Sequence, residues 1–276
     1  MSFAFNDWPP FRPYSLELIE KSLRAGKLVD GPNTAALEAD WKTATGASYT
    51  LACSSGTAAL YMALAALGVE GREVIIPAFT FSGSVFPVIM AGGIPVYADV
   101  DPATYCLTAE TVEKVLSRNT VAILPVHIHG YPVDLASIQA ILPHDVRIIE
   151  DACQAVATTL ADGRRAGRYG LAAGYSLNQT KSLPGGEGGL IVTDDGDLAE
   201  TMRTLRRFGE EWDEISPRTY IVENRWGGNY RIDELCAAVA LGNLPYLDEV
   251  TEQGRKNAAI IQSYLEGLPG LRLPAS

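Results

Sequence analysis

From residue 49 onward the chain alternates between short runs that are apolar throughout and longer stretches with helical spacing. The apolar runs, residues 49–53, 73–76, 94–98, 122–126, 146–149, 172–177 and 190–193, have the length of strands. Residues 57–67, 82–90, 109–116 and 134–141 between them read as helices. Strands that lack an apolar/polar alternation are buried on both faces, and interposed helices supply the cover. The pattern predicts an α/β domain with a mostly parallel seven-stranded sheet covered by helices. The interval between the last two runs is too short for a crossover helix, so one of those strands is expected to run antiparallel.

The flanking segments complete the organisation. Residues 15–25 and 35–45 read as helices, with Gly31-Pro32-Asn33 breaking the chain between them and Thr34 placed to cap the second. Past the sheet come a helix at 198–207, a polar and aromatic loop at 209–226, and helices at 233–241 and 243–265. Leu271-Arg272-Leu273 follows Pro269-Gly270 like the entry to another strand, without an evident partner. The expected division is an N-terminal arm and large α/β domain over residues 1–240, then a connecting helix and the start of a smaller unit over 241–276.

Composition narrows the function. The chain has 276 residues, 47% of them hydrophobic, enough for a large core. Its 33 acidic and 22 basic residues give a net charge of −11, which disfavours nucleic acid as a partner. The cluster Arg203, Arg206, Arg207 reads as a solvated helix face. Cys53, Cys106, Cys153 and Cys236 lack metal-ligand or redox spacing, and the polar, aromatic start (Phe3, Phe5, Trp8, Phe11) is unlike a secretory leader. Free thiols in a reducing cytoplasm are the expectation. No apolar run is long enough to span a bilayer, so no membrane partner is expected. His127 and His129 alternate at a strand end with no third ligand, which argues against a metal. There is no Gly-x-Ser-x-Gly elbow and no Walker-type loop.

In open α/β sheets ligands gather beyond the carboxyl ends of the strands, and four candidate groups fall there. Ser54-Ser55-Gly56-Thr57 opens a helix after a strand, suited to a phosphate or to ordinary capping. Asp151 ends a strand; it can hold a protonated ring nitrogen positive or cap the next turn. Gln154 can donate to a ring oxygen or lie exposed in a loop. Phe81, with Phe79 competing for the role, can stack on a planar ligand or fill the core. Lys181 stands between an apolar segment and Gly185-Gly186-Glu187-Gly188-Gly189, as an imine-forming nucleophile or a surface charge. An imine requires the amine to lose its proton, which burial and neighbouring cations favour.

The order of these groups, with Ile76-Pro77-Ala78-Phe79-Thr80-Phe81, Asp99-Val100-Asp101-Pro102, Pro125-Val126-His127, Glu150-Asp151-Ala152-Cys153-Gln154-Ala155 and Gly228-Asn229-Tyr230-Arg231, resembles the DegT/DnrJ/EryC1/StrS aminotransferases. These are pyridoxal-phosphate enzymes of fold type I that aminate keto sugars, often nucleotide-linked, or keto cyclitols in amino-sugar and antibiotic biosynthesis. The resemblance implies that Lys181 carries pyridoxal 5′-phosphate and shuttles the proton. It implies that Asp151 binds the pyridine nitrogen, Gln154 the phenolic oxygen and Phe81 the ring face. Ser55, Gly56, Thr57 and Ser176 would form the phosphate seat, with Asn178 beside it. Asn229 would reach the phosphate of a second subunit, in a homodimer with shared sites. Glutamate or glutamine would be the amino donor in a ping-pong cycle.

Some positions depart from the family pattern. Asn178 stands where histidine is frequent, Pro184-Gly185 replaces a threonine, Leu171 replaces an aspartate, and Val156 stands where histidine or a small polar residue is common. A dehydratase branch carries histidine at the position of Lys181. The small C-terminal domain of the family is expected to be largely absent. The alternatives are a pyridoxal-phosphate dehydratase or epimerase, and a non-catalytic or split-enzyme piece that binds the cofactor.

Overall fold

The computed structural model describes residues 12–212, 220–222 and 226–275. The Trp8-Pro9-Pro10 opening and two stretches of the rim loop, 213–219 and 223–225, lie outside the described residues.

Seven strands form the main sheet: β1 Tyr49–Cys53, β2 Glu73–Pro77, β3 Ile94–Ala98, β4 Thr120–Ile123, β5 Arg147–Asp151, β6 Ala172–Ser176 and β7 Gly189–Thr193. Their order is β1-β7-β6-β5-β4-β2-β3. Strands β3, β2, β4, β5 and β6 pair in parallel, and β7 runs antiparallel to both β6 and β1. The short β6–β7 connection thus has the consequence expected of it. β4 ends three residues earlier than its apolar run, because Pro125 has no N–H to give to a ladder. The chain nevertheless stays extended to Val126, which bridges Asp151.

The helices are α1 Pro13–Ala25, α2 Pro32–Thr45, α3 Gly56–Leu67, α4 Ser82–Met90, α5 Ala109–Glu113, α6 Leu135–Ile141, α7 Gly196–Leu205, α8 Glu234–Asn243 and α9 Leu247–Leu265. Successive strand residues face opposite sides, and the core divides accordingly. Leu51, Val74, Ile76, Leu124 and Ile191 pack under α3, α4 and α7. Ala52, Ile75, Ile123, Ile148 and Val192 pack under α2, α5, α6 and α8. Helix α3 carries no charged residue and buries most of its first nine positions, as a helix over the middle of a sheet must. Among the described residues no helix is long and apolar enough to cross a membrane.

Four expectations need correction. Strands β8 Glu210–Trp212 and β9 Tyr220–Val222 pair antiparallel inside the segment read as loop. Leu271-Arg272-Leu273 forms no strand; nearby, the Ala275 N–H donates to the Ala103 carbonyl at 2.8 Å. Of arginines 203, 206 and 207, only Arg203 lies on a solvated face. Arg206 is buried and pairs with Glu38 at 2.7 Å while donating to the Ala52 carbonyl, and Arg207 pairs with Asp30 at 3.2 Å.

The fourth concerns α2, which starts at Pro32, a residue whose fixed φ and missing N–H suit a first helical position. Thr34 does not cap it. The buried carboxylate of Glu234 accepts from the N–H groups of Gly31, Asn33 and Thr34 at 2.8–2.9 Å and from the Thr34 hydroxyl. One side chain from α8 therefore satisfies the orphan donors of a helix that lies 200 residues earlier. Glu234→Ala leaves those buried N–H groups unpaired and is expected to destabilise the fold by about 3 kcal/mol, read as a lower urea midpoint with an unchanged m-value.

Candidate active site

The carboxyl ends of β1, β5 and β6 and the β6–β7 connection open on one cleft of about 350 Å³. Its wall includes Ser55, Gly56, Thr57, Phe81, Asp151, Gln154, Ser176, Asn178 and Lys181. Nine of the ten sequence-predicted site residues therefore meet in one place. Asn229 does not line it: this residue is exposed and bridges Arg207.

The first wall is the β1–α3 turn. Ser55 is the N-cap, and its hydroxyl accepts from the Ala58 N–H at 3.0 Å, so the capping reading of this serine holds. The amides of Gly56 and Thr57 precede that bond, in a first turn where N–H groups have no intrahelical partner. They and the positive end of α3 suit an anion. Gly56 sits so close to its surroundings that a Cβ would lie 2.6 Å from Cys153 Sγ and 3.0 Å from Ser176 Cβ. The turn is also tied to the rim, because Ser54 N–H donates to the Tyr230 carbonyl at 2.7 Å.

The floor is Asp151, buried at the end of β5. Oδ1 accepts from the Cys153 N–H at 3.0 Å, and Oδ2 accepts from the Ser84 hydroxyl at 2.7 Å. Ser84 is itself buried and takes a hydrogen bond from Thr80 at 2.9 Å. Asp151 thus performs the local turn-capping role and still faces the cleft. Burial pushes the Cys153 thiol well above its ordinary range, and the charge of Asp151 adds to the effect. Burial likewise pushes Cys53 up to about 12. Both sulfurs beside the anion turn therefore stay neutral near pH 7. All four cysteines are free thiols.

The remaining sides carry the ring-facing candidates. Phe81 is 69% exposed and lines the cleft, whereas Phe79 turns away against Tyr105 with ring centroids 5.3 Å apart. Of the two it is Phe81 that borders the cleft, and neither is a core residue. Gln154 Oε1 accepts from the His129 N–H at 2.7 Å. Lys181 is half-buried, and among the described residues its amine makes no ion pair. Asn178 lines the cleft, but its side chain is engaged: Nδ2 donates to Glu187 at 2.9 Å, and Oδ1 accepts from the Thr180 N–H and hydroxyl. It shapes the Lys181 loop, and its own amide has little left for a ligand.

Ser84, Thr80 and Cys153 were not among the predicted site residues. Serine and threonine at the start of a helix read as generic, and only the packing of α4 beside β5 gives them their role. Both ring nitrogens of His127 are engaged by protein groups. Its Nε2 lies 2.9 Å from buried Glu150, its Nδ1 accepts from the Val133 N–H at 3.1 Å, and no metal-ligating cluster occurs among the described residues.

Comparison with known proteins agrees with this geometry. The DegT/DnrJ/EryC1/StrS aminotransferase family profile matches residues 12–275. A pleiotropic regulatory protein of Geobacillus stearothermophilus is 37% identical over 262 residues, covering 94% of this chain and 68% of that protein. The UDP-N-acetyl-3-dehydro-alpha-D-glucosamine 3-aminotransferase of Acidithiobacillus ferrooxidans is 35% identical over 268 residues, 96% of this chain and 70% of that one. The crystal structure of S. venezuelae DesV in complex with a ketimine intermediate superposes with a TM-score of 0.85 at 34% identity, covering 95% of this chain and 70% of that one. The chain spans 64% of another solved aminotransferase, from Psychrobacter cryohalolentis.

Gly56→Ala forces a methyl group against Cys153 and Ser176 and narrows the anion turn. Its affinity for pyridoxal phosphate is expected to fall at least about tenfold, the loss of one to two charge-assisted hydrogen bonds. Calorimetric titration of a variant with native circular dichroism measures this.

Proposed function

The chain belongs to the DegT/DnrJ/EryC1/StrS aminotransferase family, and from that premise we propose that it binds pyridoxal 5′-phosphate on Lys181 and moves an amino group from glutamate or glutamine to a keto sugar or keto cyclitol. The observation that carries this reading is one cleft in which a half-buried lysine, a buried carboxylate, an exposed aromatic ring and an open helix N-terminus converge. The residues fit the group: the Gly56–Thr57 amides and Ser176 for its phosphate, Phe81 for its ring face, Asp151 for its ring nitrogen and Gln154 for its ring oxygen.

Bound there, pyridoxal phosphate supplies the electron sink that makes a proton next to the amino nitrogen labile. The protein's part is orientation and proton transfer. Asp151, oriented by the Ser84 hydroxyl and the Cys153 N–H, would face the ring nitrogen and favour its protonated form. Lys181 Nζ would take the proton from the donor's α-carbon and pass it to the bound group, and in the acceptor half would carry a proton in the opposite direction, ending unchanged. The relative named as a UDP-N-acetyl-3-dehydro-alpha-D-glucosamine 3-aminotransferase supports a sugar-like acceptor. Residues His129, Gln154 and Ser182 connect the cleft to a polar recess reaching Thr251 and Arg255, which gives a sizeable polyhydroxylated acceptor room. A homodimer is supported by the exposed Asn229, outside its own cleft, and by the exposed apolar residues Phe86, Ile89, Met90, Ile94 and Tyr97.

A dehydratase would dispense with the lysine, and Lys181 favours transamination over it. A regulatory piece without turnover is the other rival, given the relative named as a pleiotropic regulator. Visible spectra of the chain with pyridoxal phosphate, before and after glutamate, separate them. The expected result is an absorption band that glutamate shifts with release of a keto acid, and that Lys181→Ala lacks, with turnover down at least about a thousandfold. A band that neither glutamate nor glutamine moves would overturn transamination. Ser84→Ala removes a hydrogen bond to a buried charge, worth about 1.5–3 kcal/mol. It should weaken cofactor binding roughly ten- to a hundredfold, while Ser84→Thr restores it; a spectrophotometric titration reads both.

A further inference from the structure

The turn at residues 127–130 holds a strained backbone beside the cleft. His129 has φ 54° and ψ 17°, and Gly130 follows at φ 81°. The left-handed region is disfavoured for any residue with a Cβ, and such strain persists only where surrounding contacts impose it. Here they are identifiable. His127 N–H donates to the Asp151 carbonyl at 3.1 Å, and the Thr158 hydroxyl donates to the Gly130 carbonyl at 2.8 Å. The His127 imidazole is clamped between Glu150 and the Val133 N–H. Two successive positive-φ residues swing the His129 amide toward the turn after β5, where it donates to Gln154 Oε1 at 2.7 Å. A carboxamide has one acceptor oxygen and an NH2 with two donors. With the oxygen taken outside, the NH2 is what remains for the cleft.

We propose that His129 is a positioning residue whose left-handed backbone fixes the Gln154 amide, so that the cleft is offered a donor and never an acceptor. The inference rests on the cofactor reading above, in which Gln154 faces the electron-rich oxygen of the pyridoxal ring. The imidazole is not the agent: it is exposed and stands edge-on to Tyr105, with centroids 6.5 Å apart. Among the described residues no other hydrogen bond chooses between the glutamine's two near-isosteric ends.

A donor at the ring oxygen favours its anionic form, so the pH midpoint of the bound cofactor's visible band reports the amide's orientation. Asp151, Cys153, Lys181 and Glu187 also line the cleft and set the baseline, and they are identical in every variant compared. The experiment is a spectrophotometric pH titration of the cofactor-loaded wild type, Gln154→Ala, His129→Gly, His129→Val and the double variant His129→Val/Gln154→Ala. Glycine keeps the N–H and tolerates the positive φ, while valine keeps the N–H and opposes that φ. Gln154→Ala is expected to raise the midpoint by about one unit. His129→Gly should stay at the wild-type value, His129→Val should move toward Gln154→Ala, and the double variant should move no further than Gln154→Ala. A wild-type midpoint in His129→Val, or a full shift in His129→Gly, overturns the proposal. Should His129→Val fail to fold by circular dichroism, His129→Ala takes its place with the same expected direction. A wild type with no visible band sinks the cofactor reading itself, whereas a normal band with indifferent midpoints sinks only this inference.

Discussion

The buried carboxylate of Glu150 ties together parts of the chain that nothing else brings into register. It accepts from the N–H groups of Gly167, Tyr169 and Gly170 at 2.6–2.7 Å and meets His127 Nε2 at 2.9 Å. Burying an ionised carboxylate is costly unless its lone pairs are satisfied, and here four donors satisfy them. Burial works to raise its pKa, yet His127 and the backbone donors hold it below the usual carboxylate range. With Nδ1 of His127 accepting from the Val133 N–H, the ring N–H on Nε2 points toward Glu150. The segment that returns to β6 and the strand that precedes the 127–130 turn are thereby fastened to β5.

The cleft residues just beyond Glu150 depend on that fastening. Asp151 is the next residue and faces the cleft, with its two oxygens taken by Cys153 and Ser84. Gln154 lies one turn on and is held by the turn that His127 anchors. The polar groups of the cleft are fixed by backbone amides and buried hydroxyls rather than by mobile surface side chains, an arrangement that preorganises a site before any ligand arrives. Lys181 is the exception. It sits on a loop shaped by Asn178 and Glu187, and its amine is left without an ion-pair partner among the described residues.

Much of the site could be read residue by residue, and the exceptions are instructive. Lys181, Asp151, Gln154 and Gly56-Thr57 stand at strand ends and connections that the alternation of apolar runs already locates. Phe79 and Phe81 share composition and neighbourhood, and only the packing of Tyr105 against Phe79 leaves Phe81 to the cleft. Asn178 is where it was expected, but its hydrogen-bonding capacity goes to Thr180 and Glu187. Ser84 had no local signal at all, since a buried serine in a first helical turn is indistinguishable from an exposed one until β5 is placed beside it.

The sequence by itself determined the strand and helix alternation, the antiparallel β7 and the chemistry placed at the sheet's carboxyl edge. These are near-neighbour consequences: burial on both faces selects apolar runs, and a short connection forbids a crossover. Only the tertiary structure decided how charged side chains are used across long separations. Glu234 serves α2, Arg206 pairs with Glu38 at the β1 edge of the sheet, and Glu150 gathers His127 and the 167–170 segment. The reason is physical: a carboxylate or guanidinium looks the same in the sequence whether water or buried backbone donors will satisfy it, and that choice is made only when distant segments close over it.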